Sequence, residues 1–142
     1  MIMVEIIAGG RGKGKTRQLL DRIHEDIKKA DGDIVYIDKS QKHMYELTSK
    51  VRLINMADYT VASTDEFLGF LSGAISQNSD IEEIALDSFL TIAYINSTEE
   101  LSRAIEKLDV ISEKFNVRFI LCVSNDEFEF SESVKAKIIV NL

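Results

Sequence analysis

Short apolar runs alternate along this chain with amphipathic segments. Short runs rich in β-branched residues are typical of strands that are buried on both faces of a sheet. The predicted strands are Ile2–Ala8, Ile34–Asp38, Val51–Met56, Glu83–Phe89, Val117–Val123 and Lys137–Val140. Strands that alternate with helices favour a parallel sheet with helices on both faces. The pattern therefore predicts a three-layer α/β/α fold with a mainly parallel sheet.

The helices are predicted from apolar residues that recur every three or four positions. Two of these segments open on a serine that is followed three residues later by a glutamate, at Ser63 and at Ser97. Such a capping box satisfies free backbone N–H groups at the start of a helix. The predicted helices are Thr16–Ala30, Gln41–Lys50, Ser63 to about Gln77, and Ser97 to about Asn116.

Composition limits the number of domains and the class of partner. The 142 residues are 45% hydrophobic and contain no proline, so one domain spanning residues 1–142 with its own core is expected. The formal net charge of −7 disfavours DNA or RNA as a partner, because their binding requires Lys and Arg to replace counterions.

The sequence predicts a cytoplasmic location and no membrane span. No run approaches the roughly 20 apolar residues that a spanning helix needs, and Met1–Ala8 lacks the basic leader of a signal peptide. The single cysteine, Cys122, excludes an internal disulfide, which fits a reducing compartment. Cys122 lies inside an apolar run, where a buried and inert thiol is expected. His24 and His43 are not at ligand spacing, so we expect no structural metal.

The most informative segment is Gly9–Thr16, which matches G-x-x-x-x-G-K-[ST] between a predicted strand and a predicted helix. Glycines there allow consecutive N–H groups to converge on a phosphate, and the helix N-terminus adds partial positive charge. Lys15 is predicted to contact the β- and γ-phosphates, and the Thr16 hydroxyl to ligate Mg²⁺. The residues predicted to bind the nucleotide are Gly9, Gly10, Arg11, Gly12, Lys13, Gly14, Lys15, Thr16 and Arg17.

Polar residues at strand ends supply the remaining candidates. Asp87 follows the apolar run Ile84–Leu86, which is the Walker B arrangement, and is predicted to hold Mg²⁺ through a water molecule. Ser124 closes another strand, where it would either contact the γ-phosphate or serve only as a turn residue. Asp38 closes the second strand and could act as a general base, although a solvated strand end is the favoured interpretation. Asp126 and Glu127 are expected to lie on the solvated surface.

On these motifs the chain resembles a small P-loop ATPase of the RecA/AAA-like branch, which carries an additional strand between the phosphate loop and the Walker B strand. It is also similar to short clostridial-type ATP-binding proteins. The resemblance covers nearly the whole chain in element order, and it is specific in residues only at Gly9–Thr16. It implies a five-stranded sheet of order 5-1-4-3-2, ATP and Mg²⁺ as ligands, and self-assembly as a homo-oligomer or binding to a protein partner.

The chain departs from this branch at two points. Many members carry a glutamate directly after the Walker B aspartate, where this chain has Ser88. An arginine finger is not evident, although Arg52, Arg103 and Arg118 are available. Both groups assist phosphoryl transfer by positioning and electrostatics, so a site without them is expected to bind nucleotide tightly and to hydrolyse it slowly.

Three functions remain open from the sequence. The first is a slow ATPase or ATP-dependent switch, in which Lys15, Asp87 and Ser124 act on the phosphates and Asp38–Met44 or Leu90–Ser97 respond to them. The second is a small-molecule kinase, because the phosphate loop followed by Tyr36-Ile37-Asp38 is similar to the cobinamide-kinase pattern. The third is a non-catalytic module that keeps nucleotide as a structural ligand. A sequence N-K-x-D that would read guanine is missing, so adenine is preferred.

Overall fold

Six strands form one sheet in the computed structural model, which describes residues 4–142. All of the strand pairs are parallel, and the strands follow the order β3-β2-β4-β5-β1-β6. Their bounds are β1 Val4–Gly9, β2 Asp33–Asp38, β3 Val51–Asn55, β4 Ile81–Leu86, β5 Arg118–Ser124 and β6 Ile138–Asn141. All six predicted strands are present, although Ile2 and Met3 of the first lie outside the described residues.

The expectation of five strands is wrong, because both edge segments join the sheet. β3 pairs with β2 at one edge, and β6 pairs with β1 at the other. If β3 is set aside and the rest are renumbered along the chain, the remaining strands follow the expected order 5-1-4-3-2. β3 therefore extends the sheet at its edge and leaves the order of the other five strands unchanged.

The helices cover both faces of the sheet. α1 (Lys15–Ile27) packs against β1 and β5 on one face through Leu19, Leu20 and Ile23. α2 (Thr64–Ser76) and α4 (Thr98–Phe115) pack against each other on the opposite face. Two short helices, α3 (Phe89–Ile92) and α5 (Glu132–Lys135), complete that layer. The three-layer α/β/α arrangement is thus as predicted.

Both predicted capping boxes are confirmed. The Ser63 hydroxyl accepts a hydrogen bond from the Glu66 N–H at 3.1 Å, and the Ser97 hydroxyl accepts one from the Glu100 N–H at 3.2 Å. Each glutamate carboxylate in turn accepts a backbone N–H from the residue before the serine. Free donors at both helix starts are therefore satisfied by local side chains.

The predicted helix at Gln41–Lys50 is wrong. This segment contains a single 3₁₀ turn at Met44–Glu46 between otherwise irregular residues. Met44 is buried beneath α1, with Leu47 packed beside it, and Glu46 pairs with Arg17. These contacts with α1 hold the segment in an irregular course between two neighbouring parallel strands.

The carboxyl ends of all strands meet along one edge of the sheet. Gly9 pairs with Ser124 across β1 and β5, and the Asp87 N–H donates to the Ile37 carbonyl at 2.9 Å. The candidate residues from four strands consequently lie side by side at that edge, where open α/β sheets bind ligands. None of the helices within residues 4–142 combines the length and apolar character that crossing a bilayer would require.

Candidate functional site at the carboxyl edge of the sheet

The loop between β1 and α1 is shaped by two glycines in the left-handed backbone region. Gly12 has φ of 76° and Gly14 has φ of 96°. A Cβ atom at either position would meet nothing within 4 Å among the described atoms, so the backbone conformation alone requires glycine. Gly14 is the N-cap of α1, and the first turn of that helix carries no acidic residue. Its free N–H groups and positive dipole end therefore favour an anion.

The first two side chains of α1 bend toward the strand ends. The Lys15 ammonium donates to the Gly10 carbonyl at 2.9 Å, across the base of the loop. The Thr16 hydroxyl donates to the Asp87 carboxylate at 2.9 Å, although the two residues are 71 positions apart. The structure thus brings the predicted lysine, hydroxyl and carboxylate together.

A cleft of about 440 Å³ opens above these groups, within the range of small-molecule sites. Its walls come from the loop, from the segment after β2, from α3 and from the end of β5. The lining residues are Arg11, Gly12, Gly14, Lys15, Thr16, Lys39, His43, Asp87, Ser88, Phe89, Leu90, Thr91, Cys122, Ser124 and Glu127. Arg11, Lys15 and Lys39 concentrate positive charge here, although the whole chain carries −7.

Asp87 lies directly after β4, which ends at Leu86 and not at Phe89 as predicted. Its side chain is buried, and its Oδ1 accepts the Ser88 N–H at 2.9 Å. Ser88 has φ of 53°, a conformation that an L-residue adopts only at some cost. The sharp turn at Ser88 starts α3 and directs Phe89 and the next two residues to the wall of the cleft.

A buried tyrosine joins Asp87 to a second carboxylate. The Tyr36 hydroxyl lies 2.9 Å from Asp87 Oδ2 and 3.0 Å from Asp38 Oδ2. Burial first, and then the charge of Asp87, raise the pKa of Asp38. Burial and both carboxylates also raise the pKa of the Tyr36 hydroxyl, which therefore stays protonated. Asp38 is buried, so the favoured interpretation of a solvated strand end is wrong. It lies behind the described residues that line the cleft, and its Oδ1 accepts the Lys39 N–H at 2.7 Å.

Asp126 holds the loop from its outer side, a contact that the sequence did not indicate. Its Oδ2 accepts the Arg11 N–H at 2.7 Å, and the Ser124 hydroxyl lies 3.5 Å from the same oxygen. A Cβ at Gly10 would lie 2.8 Å from Asp126 Oδ1, so any larger residue would require the Asp126 carboxylate to shift. Glu127 is exposed, as predicted, but it also lines the cleft, which the sequence did not indicate. Its place shortly after the end of β5, at the same edge, was an available signal.

Several predicted residues lie outside the cleft. The Arg17 side chain pairs with Glu46 at 3.0 Å and with Asp21 at 3.4 Å on the outer surface of α1. Gly9, Gly10 and Lys13 belong to the loop but not to the residues that line the cleft.

Two of the arginines considered as fingers point to the opposite edge of the sheet. Arg52 pairs with Asp33, and Arg118 pairs with Glu83, in each case close to the amino end of a strand. Both side chains are therefore engaged away from the cleft.

Two buried residues lie beside the site, Cys122, whose burial the sequence predicted, and Tyr36, whose role it did not. Cys122 is buried as expected, and burial raises the pKa of its thiol, so the thiol stays protonated beneath the loop. Tyr36 carried no motif, and sequence reasoning missed it. Its position two residues before Asp38, on the same face of β2, was the available signal, since strand residues at i and i+2 share a face.

No protein-family model matches this sequence, and no curated protein matches it at a significant level.

Proposed function

We propose that this protein is a P-loop nucleotide-binding protein of the RecA/AAA-like branch, with MgATP as its ligand in the cleft above Gly9–Thr16. The observation that carries the proposal is the contact of 2.9 Å between the Thr16 hydroxyl and the Asp87 carboxylate. It joins the first turn of α1 to the end of β4, directly beneath a loop rich in N–H donors. A hydroxyl beside a carboxylate at a phosphate site is the arrangement that a magnesium–phosphate ligand requires.

The residues present fit this ligand. The N–H groups from Gly12 to Thr16 would hold the β-phosphate, and the Lys15 ammonium would exchange the Gly10 carbonyl for phosphate oxygens. The oxygen of the Thr16 hydroxyl would ligate Mg²⁺ while its proton still points to the Asp87 carboxylate, which would bind a water of the ion. Bound Mg²⁺ supplies charge neutralisation for the phosphates.

We further propose that the protein works as an ATP-dependent switch with slow hydrolysis. Ser88 occupies the position where related ATPases carry a water-orienting acid, and its side chain cannot take that role. Asp38 is only 2% exposed, which keeps it from the cleft. The two segments that would respond to the γ-phosphate are Asp38–Met44 and Leu90–Ser97, since Lys39, His43 and Leu90 line the cleft.

Calorimetric titration of MgATP into the wild-type protein and Lys15→Ala tests the binding. We expect at least tenfold weaker binding by the variant, because it loses a charge-assisted contact. The matched control is Lys28→Ala, a lysine that pairs with Glu25 at the far end of α1 and should bind as the wild type does. Equal affinities of the wild-type protein and Lys15→Ala, or no binding by the wild-type protein, would contradict the proposal.

Phosphate release from the same samples separates the functions. Slow release that is abolished in Asp87→Ala supports a hydrolysing switch. Binding without release would instead favour a non-catalytic module. Transfer of phosphate to an added small-molecule acceptor would favour a kinase.

A further inference from the structure

The Tyr36 hydroxyl is a buried polar group to which the proposed function assigns no role. The side chain is 0% exposed and packs on the α1 face of the sheet, in a core that includes Ala85, Ile120 and Cys122. Close packing around the ring holds the hydroxyl in one place. That place is between two carboxylates, 2.9 Å from Asp87 and 3.0 Å from Asp38.

The contacts of Asp87 show what this hydroxyl does. Asp87 Oδ2 is within 2.9 Å of two hydroxyls, those of Tyr36 and Thr16, while Oδ1 accepts the Ser88 N–H at 2.9 Å. These donors come from three separate parts of the chain: α1, β2 and the turn before α3. The Thr16 hydroxyl would also contact the metal ion, whereas the Tyr36 hydroxyl, held by its packed ring, would not. Tyr36 is therefore the donor that orients Oδ2 independently of the ligand.

We propose that Tyr36 is a positioning residue of the magnesium site, which sets the orientation of the Asp87 carboxylate toward Thr16 and the metal ion. Asp38, on the other side of the Tyr36 hydroxyl, helps to hold that hydroxyl at the end of β4. This inference rests on the proposed function. It adds a residue that touches neither nucleotide nor metal and acts through the carboxylate that does. Partners of this kind orient metal ligands, and their loss typically weakens metal affinity by 10- to 100-fold.

The test compares the affinity for ATP in EDTA with the affinity in saturating Mg²⁺, for the wild-type protein and Tyr36→Phe. The variant keeps the buried ring and removes only the hydroxyl. We expect the gain in affinity on adding Mg²⁺ to shrink about tenfold in the variant. The affinity in EDTA should change less than about threefold, since the loop that holds the phosphates is untouched.

The matched control is Tyr59→Phe. Tyr59 packs its ring against Phe70, 5.0 Å between centroids and away from the lining of the cleft, so loss of its hydroxyl should leave the magnesium gain unchanged. A double-mutant cycle with Asp87→Asn adds specificity, because Tyr36→Phe should have less than about a twofold further effect once the carboxylate is gone.

The outcomes separate this inference from the function on which it rests. No ATP binding by the wild-type protein, or no gain from Mg²⁺, would overturn both. Wild-type binding with an equal magnesium gain in Tyr36→Phe would overturn the role of Tyr36 alone. A parallel loss in EDTA and in Mg²⁺ would also overturn it, since that result reports general damage to the fold.

A second measurement does not depend on the stability of the variant. Wild-type protein labelled with 3-fluorotyrosine should show a ¹⁹F shift of the Tyr36 signal with ATP and Mg²⁺ but not with ATP in EDTA. The signal is assigned by elimination from Tyr45→Phe, Tyr59→Phe and Tyr94→Phe, the other tyrosines of the chain. A Tyr36 signal that ignores Mg²⁺ would overturn the inference.

Discussion

Two glycines of this chain differ in whether their backbone conformation requires glycine. Gly14 adopts φ of 96°, where an L-residue is strained, and Gly69 lies on the exposed face of α2 in ordinary helical geometry. A Cβ at either position meets no described atom within 4 Å, so steric contact is equal at the two sites. Backbone conformation is therefore the only difference that substitution by alanine would probe.

We expect Gly14→Ala to lower the free energy of unfolding by about 1 kcal/mol, because it forces alanine into the left-handed region. Gly69→Ala should raise it by roughly 0.5–1 kcal/mol, because alanine loses less backbone entropy in a helix. Urea denaturation measures both as shifts of the midpoint at constant slope. The same sign for the two substitutions would contradict the backbone argument.

At the residue scale, the sequence predicted the groups that motifs define and missed those that only contacts define. Lys15, Thr16 and Asp87 converge as expected, because the loop places the first two at the start of α1 and the apolar run places Asp87 at the end of β4. Tyr36 and Asp126 lie in no motif. Their roles depend on contacts with residues 51 and 115 positions away in sequence, respectively.

Neighbouring elements are joined at the amino edge of the sheet by a buried charged cluster. Glu83 of β4 is 1% exposed and lies 2.8 Å from Arg118 of β5, with Asp26 of α1 beside it. Burial, followed by Asp26, raises the pKa of Glu83 from 4.5 to about 8, against the opposing effect of Arg118. One carboxylate oxygen, Oε2, has no hydrogen-bond partner among the described atoms, which adds to the cost of its charge.

The stability of the protein should therefore depend on pH through Glu83. The folded state favours the protonated form of Glu83. The contribution of this group to the free energy of unfolding is therefore fully present below pH 4.5 and is lost as the pH rises to about 8. The wild-type protein should lose on the order of 5 kcal/mol of unfolding free energy across this window, since the pKa rises from 4.5 to about 8 and one pKa unit corresponds to about 1.4 kcal/mol; Glu83→Gln should remove this loss. Urea denaturation at a series of pH values measures the difference.

Glu106→Gln, an exposed substitution on α4, is the control and should retain the wild-type pH profile. A profile of Glu83→Gln that is parallel to that of the wild-type protein would show that Glu83 titrates normally.

At the element scale, a helix or strand was predicted correctly where the interactions that determine it lie close together in sequence. The starts of α2 and α4 were predicted because each cap lies within four residues of its partners. The segment Gln41–Lys50 was not predicted correctly, because contacts with α1 override its helical pattern. The strand count failed for a related reason, since an apolar run does not show whether its backbone pairs at the edge of a sheet.

At the scale of the whole molecule, the proposed ligand would contact segments that follow four different strands of the sheet. The cleft draws side chains from the loop after β1, from the segments after β2 and β4, and from the end of β5. A ligand that contacts all of them binds only the folded state and therefore stabilises it. MgATP at 100 times its Kd should add about 2.7 kcal/mol, which raises Tm by roughly 5–10 °C for a chain of this size.

Thermal unfolding with and without MgATP measures this shift. Lys15→Ala at the same ligand concentration should show a much smaller rise, and Lys28→Ala should show the full one. Equal rises in the wild-type protein and in Lys15→Ala would mean that the nucleotide binds elsewhere.

The sequence by itself determined the features that depend on near neighbours: the strands and most of the helices, both capping boxes, and the glycine-rich turn into α1. Their physical causes lie in backbone conformation, side-chain periodicity and hydrogen bonds within a few residues. Only the tertiary structure decided that six strands pair in one sheet and that Asp38 is buried behind the cleft. It alone placed Tyr36 between two carboxylates, because such contacts arise when strands distant in sequence come to lie side by side.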